Sequence, residues 1–379
     1  MKVVQTVVRP SAREEPDFSP LAAIGPNLVL VFGAVNALQQ HARAIALAFP
    51  RAQRIGCSTA GEISTRGVEE GALVVTALRF DHTRVAQAST VLASMEDSFA
   101  AGRRLATALP VVDLRAILVF GQGVQINGSA MVGGMVDIVG TRIPITGGLA
   151  GDGGAFSQTW VLDEKGLSNA RISCIGLYGS ALQFVHGSFG GWSPFGPARK
   201  VTRCDNNVLL ELDGEPALAV YKRYLGDHAQ GLPASGLLFP FAMLGNDHHE
   251  IGLIRTILGV DEAAGSLTLA GNIDPDGYLR LMHASTDALV DGAEAAAQAA
   301  RAMLGHSGDG LALLVSCVGR KLVMGGRVEE EVEAVAQVFG QGATLAGFYA
   351  YGEISPFSPS VACRLHNQTM TVTYISETA

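Results

Sequence analysis

One pattern occurs twice, near opposite ends of the chain. Gly56-Cys-Ser-Thr-Ala-Gly-Glu-Ile-Ser64 and Gly347-Phe-Tyr-Ala-Tyr-Gly-Glu-Ile-Ser355 both read G-x-x-x-x-G-E-I-S. Each follows an amphipathic stretch at helical period. Leu38, Ala42, Ile45 and Phe49 precede the first copy, and Val328, Val332, Val335 and Phe339 precede the second. Both sets fall at i, i+4, i+7 and i+11, which is one face of a helix. A weaker third copy lies between them, with Val132, Met135 and Val139 ahead of Gly147-Gly-Leu-Ala-Gly-Asp152. In that copy Asp152 is expected where the others carry Glu62 and Glu353. A matching turn, helix face and flanking strands argue for internal duplication. The expected fold is mixed α/β (α+β): internally repeated strand–helix–strand units, with mixed sheets covered by helices.

Local signals fill in the rest. Asn36 is placed to cap the first helix and Pro50 to stop it. Gly71–Phe80 and Arg84–Val91, joined by Asp81-His-Thr83, predict a hairpin. Residues 196–215, polar and turn-rich, read as a boundary zone. Four β-rich runs follow over 237–283, and then Ser285 or Thr286 caps an alanine-rich helix to Leu304.

Composition narrows the function classes. Charged residues make up 16% of the 379, and the net charge is −8, which leaves no electrostatic footprint for nucleic acid or an anionic membrane. No apolar run approaches the roughly 18 residues that span a bilayer, and the N-terminus lacks the apolar core of a signal peptide. Five cysteines without a C-x-x-C give neither a disulfide framework nor a zinc site. The expectation is a soluble, cytoplasmic protein with no nucleic-acid or membrane partner.

Several residues are candidates for a site. Gly56, Gly61 and Gly148 let backbone N–H groups approach a ligand beyond the ends of strands, and Cys57 stands in the first such turn. Glu62, Asp152 or Glu353 can receive an ammonium group, or can instead fix a turn. Tyr349 and Tyr351 can line a pocket or fill core. The fork of Arg255 can hold a carboxylate or tie strands together. His248 and His249 lie in a polar turn, where an imidazole suits an iron ligand or is simply solvated. In a strand at most one of the two would face a given pocket. Cys57 and Cys317 invite a nucleophile reading, but no cysteine–histidine pairing is visible.

Taken together the chain resembles the FIST family, bacterial sensory proteins with a FIST N-terminal and a FIST C-terminal domain. The N-terminal likeness rests on Gly56–Glu62 and Gly147–Asp152. The C-terminal likeness rests on Ile254-Arg-Thr-Ile-Leu-Gly-Val-Asp261, Gly265-Ser-Leu-Thr-Leu-Ala-Gly271, Ser316-Cys-Val-Gly-Arg320, Gly347–Pro356 and His366-Asn-Gln-Thr369. The implied division is an extension over 1–24, a FIST N-terminal domain over 25–212 and a FIST C-terminal domain over 213–379. The resemblance implies a sensor, not an enzyme, that binds a small molecule and acts on a separate histidine kinase or cyclic-di-GMP enzyme. A haem-binding subgroup implies haem b, with His248 or His249 on the iron and nitric oxide as the signal. An amino-acid sensor without haem is the alternative, and a cysteine-dependent enzyme the third.

Overall fold

The structure, a computed structural model, describes residues 1–10, 15–248, 250–305, 309–356 and 362–378. Three six-stranded sheets share one strand order. Each contains two parallel strands joined by a crossover helix. An antiparallel strand lies beside the first of the pair, and an edge strand lies outside that. In the first sheet the pair is Leu28–Gly33 and Gln53–Ser58, joined by helix Val35–Ala48, with Leu73–Arg79 and then Lys2–Val8 outside. In the second it is Leu114–Gly121 and Ile145–Leu149, joined by helix Gly128–Val139, with Arg171–Tyr178 and Arg84–Val91. In the third it is Gly310–Cys317 and Ala343–Ala350, with helices Val318–Met324 and Glu329–Phe339 between them and Met370–Glu377 and Leu182–Phe189 outside. The duplication expected from the repeat is therefore a set of three units.

The strand after each glycine turn leaves its own unit. Glu62–Ser64 pairs with the third sheet, placing Glu62 opposite Phe348. Gly352–Pro356 pairs with the second sheet, placing Glu353 opposite Gly148. Val161–Asp163 pairs with the first sheet, placing Val161 opposite Cys57. Each unit thus completes the sheet of another, in a closed ring.

This register corrects the equivalence drawn for Asp152. The counterpart of Glu62 and Glu353 is Val161, which lies 14 residues after Gly147, whereas the two glutamates lie six after Gly56 and Gly347. The second unit carries a longer loop, and Asp152 folds it by accepting the N–H groups of Phe156, Ser157 and Gln158 at 2.7–2.9 Å.

The sheets enclose one apolar interior. Leu28, Leu30 and Phe32, Ala116, Leu118 and Phe120, and Leu311, Leu313 and Val315 meet there. The rings of Phe32, Phe120 and Phe348 lie 4.8–5.9 Å apart at its centre. Gly56, Gly147 and Gly347 occupy equivalent places in the second strands. A Cβ on any of them would sit 1.7–1.9 Å from the carbonyl oxygen of Val31, Val119 or Leu314. Because backbone blocks that space, Gly347→Ala is expected to cost about 3 kcal/mol or more, read as a lower urea midpoint.

Other local expectations are corrected. Leu73–Arg79 and Arg84–Val91 do not form a hairpin, because they belong to different sheets. The Glu377 carboxylate holds their connection by accepting the N–H groups of Asp81, His82 and Thr83 at 2.6–2.9 Å. Ala34, not Asn36, is the N-cap of helix Val35–Ala48, and among the described residues no side chain caps it. Most of the zone read as a boundary is strand, with Ser193–Asp205 and Val208–Leu212 paired antiparallel. These strands open an eight-stranded sheet over residues 193–283, inserted before helix Thr286–Ala302. Ser285 caps that helix by accepting the Ala288 N–H.

Candidate functional site

The repeat residues are packed into the architecture. Glu353 accepts the N–H and hydroxyl of Thr369 at 3.1 and 2.9 Å, and Glu62 accepts the Ala72 N–H at 2.8 Å and the Thr59 hydroxyl. Ala72 and Thr369 directly precede strands Leu73–Arg79 and Met370–Glu377, so each glutamate ties its turn to the start of a strand. Burial pushes Glu62 up to about 7 and Glu353 up to about 8. Gly61 lies beneath Lys321, whose ammonium donates to the Ala60 carbonyl at 2.6 Å. Gly148 lies against Val315 and Phe348. Cys57 and Cys317 are buried, and burial raises both thiols, which keeps them protonated. Tyr349 is fully buried in the core around the third crossover helix. Tyr351 donates to Asp152, and its ring stacks on Phe156 at 4.2 Å.

Among the described residues two arginines are buried, and they differ in one respect. Arg320 is paired with Glu331 at 2.8 Å and also donates to the carbonyls of Gly190 and Leu289. Arg255, 4% exposed, has only carbonyl acceptors: Asn272 at 3.1 Å from Nε, and Ile254 and Leu365 at 3.1 and 3.3 Å from Nη1. Among the described residues, neither a carboxylate nor any acceptor for its Nη2 is present. Burial, and then the charge of Arg364, lowers Arg255 to about 10, which still leaves a cation at neutral pH. A buried cation without a counter-ion is costly, and an arriving anion relieves that cost.

Arg255 stands on the wall of a cleft of about 400 Å³, within the size range of small-molecule sites. The cleft lies between helix Gly128–Val139 and the inserted sheet, and Ser129, Asn272 and Arg364 also face it. Asn127, the helix N-cap, donates to the Asn272 side chain at 2.9 Å and holds the two walls together. A Cβ on Gly271 (φ +141°) would lie 3.0 Å from both Arg255 Nε and Ser129 Oγ, so the bare glycine lets these two side chains pack close together. Ser129 Oγ is buried and has no hydrogen-bond partner among the described residues. Of these residues only Arg255 stood out in the sequence. Gly271 ends a family-like motif, but no periodicity marks Ser129, Asn272 or Arg364, which lie far apart in the chain.

His248 is elsewhere. It is an exposed turn residue at φ +64°, its ring 4.0 Å from that of Tyr278, and it is not part of the cleft. His249 lies outside the described residues. A haem iron requires an imidazole on the wall of an apolar pocket that covers the macrocycle, and the surroundings of His248 do not fit one. Among the described residues, no group of three or more His, Cys, Asp or Glu could hold a metal ion. Among them also, no helix is long and apolar enough to cross a membrane.

The chain is 25% identical over 228 residues to an uncharacterized protein of Mycobacterium tuberculosis, covering 58% of this chain and 57% of that protein. It is 35% identical over 95 residues to an uncharacterized protein of Methanocaldococcus jannaschii, covering 24% of this chain and 17% of that protein. In both cases it spans less than two thirds of the relative's length. Among solved structures it aligns with a cyanuric acid hydrolase from A. caulinodans at TM-score 0.39 and 10% identity, over 100% of this chain and 99% of that one. A second cyanuric acid hydrolase aligns at TM-score 0.33 and 12% identity, over 99% and 100%. The expectation that the chain is not an enzyme is withdrawn, because these two neighbours carry the name of a hydrolase. At such TM-scores the likeness carries no activity or mechanism to this chain. Residues 27–215 match the FIST N domain and residues 217–356 match the FIST C domain, so the chain belongs to the FIST family.

Proposed function

We propose that this protein is a cytoplasmic signal-input protein that takes a small ligand bearing an acidic group into the cleft at Arg255. FIST domains are generally associated with sensing in signal transduction. The observation that carries the reading is a guanidinium 4% exposed, bonded among the described residues only to backbone carbonyls, on the wall of an open cleft. Its bonds to Asn272 and Leu365 join the inserted sheet to the strand Cys363–His366 of the second sheet. A ligand at Arg255 therefore acts where two parts of the molecule meet. It transmits a signal if it binds one arrangement of them more tightly than another. The receiver is a separate protein, such as a histidine kinase or a cyclic-di-GMP enzyme.

An amino acid meets the requirement for a carboxylate. The haem version of the reading, with nitric oxide as signal, draws no support from His248.

The test is a thermal-shift panel of amino acids and other carboxylic acids, each beside its uncharged amide. At a hundredfold excess over Kd a bound acid stabilises by about 2.7 kcal/mol, and the amides are expected to give no shift. Equal shifts from acids and amides would remove Arg255 from the reading. Protein reconstituted with haem b supplies a parallel arm, in which a Soret band altered in His248→Ala would restore the haem version.

A further inference from the structure

Arg255 and Ser129 line the cleft and approach each other across Gly271, where a Cβ would lie 3.0 Å from Arg255 Nε and from Ser129 Oγ; the same wall carries the apolar side chains of Val132, Val136, Met243, Leu253, Ile273 and Leu365. Two of these come from the helix, three from two strands and a connecting loop of the inserted sheet, and one from strand Cys363–His366. Apolar surface from three separate elements, open to the same cleft, is surface that a hydrocarbon body can cover.

We propose that the ligand is amphipathic, a carboxylate at Arg255 and Ser129 carrying an aliphatic body that lies along helix Gly128–Val139. This deepens the reading above and rests on it. One guanidinium edge and one hydroxyl match the two oxygens of a carboxylate. The cleft suits a free α-amino acid less well, since its ammonium would stand beside the carboxylate between Arg255 and Arg364. Asp274 is the acidic residue on the wall, and its Oδ1 is engaged within its own turn by the Asp276 N–H at 3.0 Å.

The experiment is calorimetric titration of the full chain with acetate, hexanoate, octanoate and decanoate, and with octanol as the uncharged control. Affinity is expected to rise about three- to fourfold per methylene, the ratio set by about 0.8 kcal/mol per buried CH₂, until the tail fills the cleft. Octanol should bind at least tenfold more weakly than octanoate. Val136→Ser should weaken octanoate several-fold and leave short acids unchanged. Affinity that stays flat with chain length, while acids still outbind their amides, overturns the aliphatic body and leaves the acidic-ligand reading standing. Failure of every acid to bind overturns both.

Discussion

Arg255→Lys is expected to weaken acidic ligands by 10- to 100-fold while the protein stays folded. Lysine keeps the positive charge, but it has no planar fork and reaches less far. It cannot serve the carbonyls of Asn272, Ile254 and Leu365 and still present donors to a carboxylate. A loss of this size corresponds to roughly 1.4–2.8 kcal/mol.

The contrasting variant is Arg320→Gln. There the loss leaves Glu331 buried without its partner, and breaking a buried pair costs about 3–5 kcal/mol. The first substitution should therefore show mainly in titration and the second mainly in the denaturation midpoint. If Arg255→Lys proves as unstable as Arg320→Gln and binds acids with unchanged affinity, the unpaired guanidinium is a structural tie and not a ligand anchor.

Stability is expected to fall as pH rises from about 4.5 to about 8. Glu62 and Glu353 hold their protons to about 7 and about 8 in the folded protein, because burial disfavours the charged carboxylate. In the unfolded chain both release protons near 4.5. Over the interval between, the folded state binds more protons, so its advantage is complete below the unfolded value and is lost as pH passes the folded values. A shift of a few units on a buried group is worth a few kcal/mol.

Glu353→Gln retains an acceptor for the Thr369 N–H and hydroxyl without the buried charge. The variant should match the parent near pH 5 and exceed its melting temperature above pH 8. Parallel stability–pH curves for the two proteins would mean that Glu353 is ionised in the fold throughout. Glu62, with Thr59 and Ala72 as donors, is expected to give a smaller effect of the same sign.

Val161 illustrates how a repeat can be seen and still be misaligned. The turn glycines and the helix faces of all three units repeat in the sequence, and the structure places Gly56, Gly147 and Gly347 in equivalent positions against carbonyl oxygens. The longer loop of the second unit then offers Asp152, an acidic residue at nearly the right spacing, while the chain continues to Val161 before rejoining a sheet. The hairpin expected over Gly71–Val91 misleads in the same way. Two apolar strands and a polar turn look alike whether the strands pair with each other or with partners in separate sheets.

The candidate site was legible only in part, because its members are brought together by the fold. Arg255 could be named as a carboxylate fork, and Arg320 also falls in a recognisable motif. Their opposite circumstances depend on Glu331 lying beside one and on Ser129, Gly271 and Leu365 lying beside the other.

By itself, then, the sequence determined the mixed α/β class, the repeated units, the helix faces and the family. These follow from periodicity, turn chemistry and short motifs, all properties of neighbouring residues. Tertiary structure alone decided the ring of exchanged strands, the turn-fixing bonds of Glu62 and Glu353, and the cleft that exposes one buried cation to a ligand. Each of those depends on contacts between residues far apart in the chain, where burial sets the energy of a charge and backbone pairing sets which strands meet.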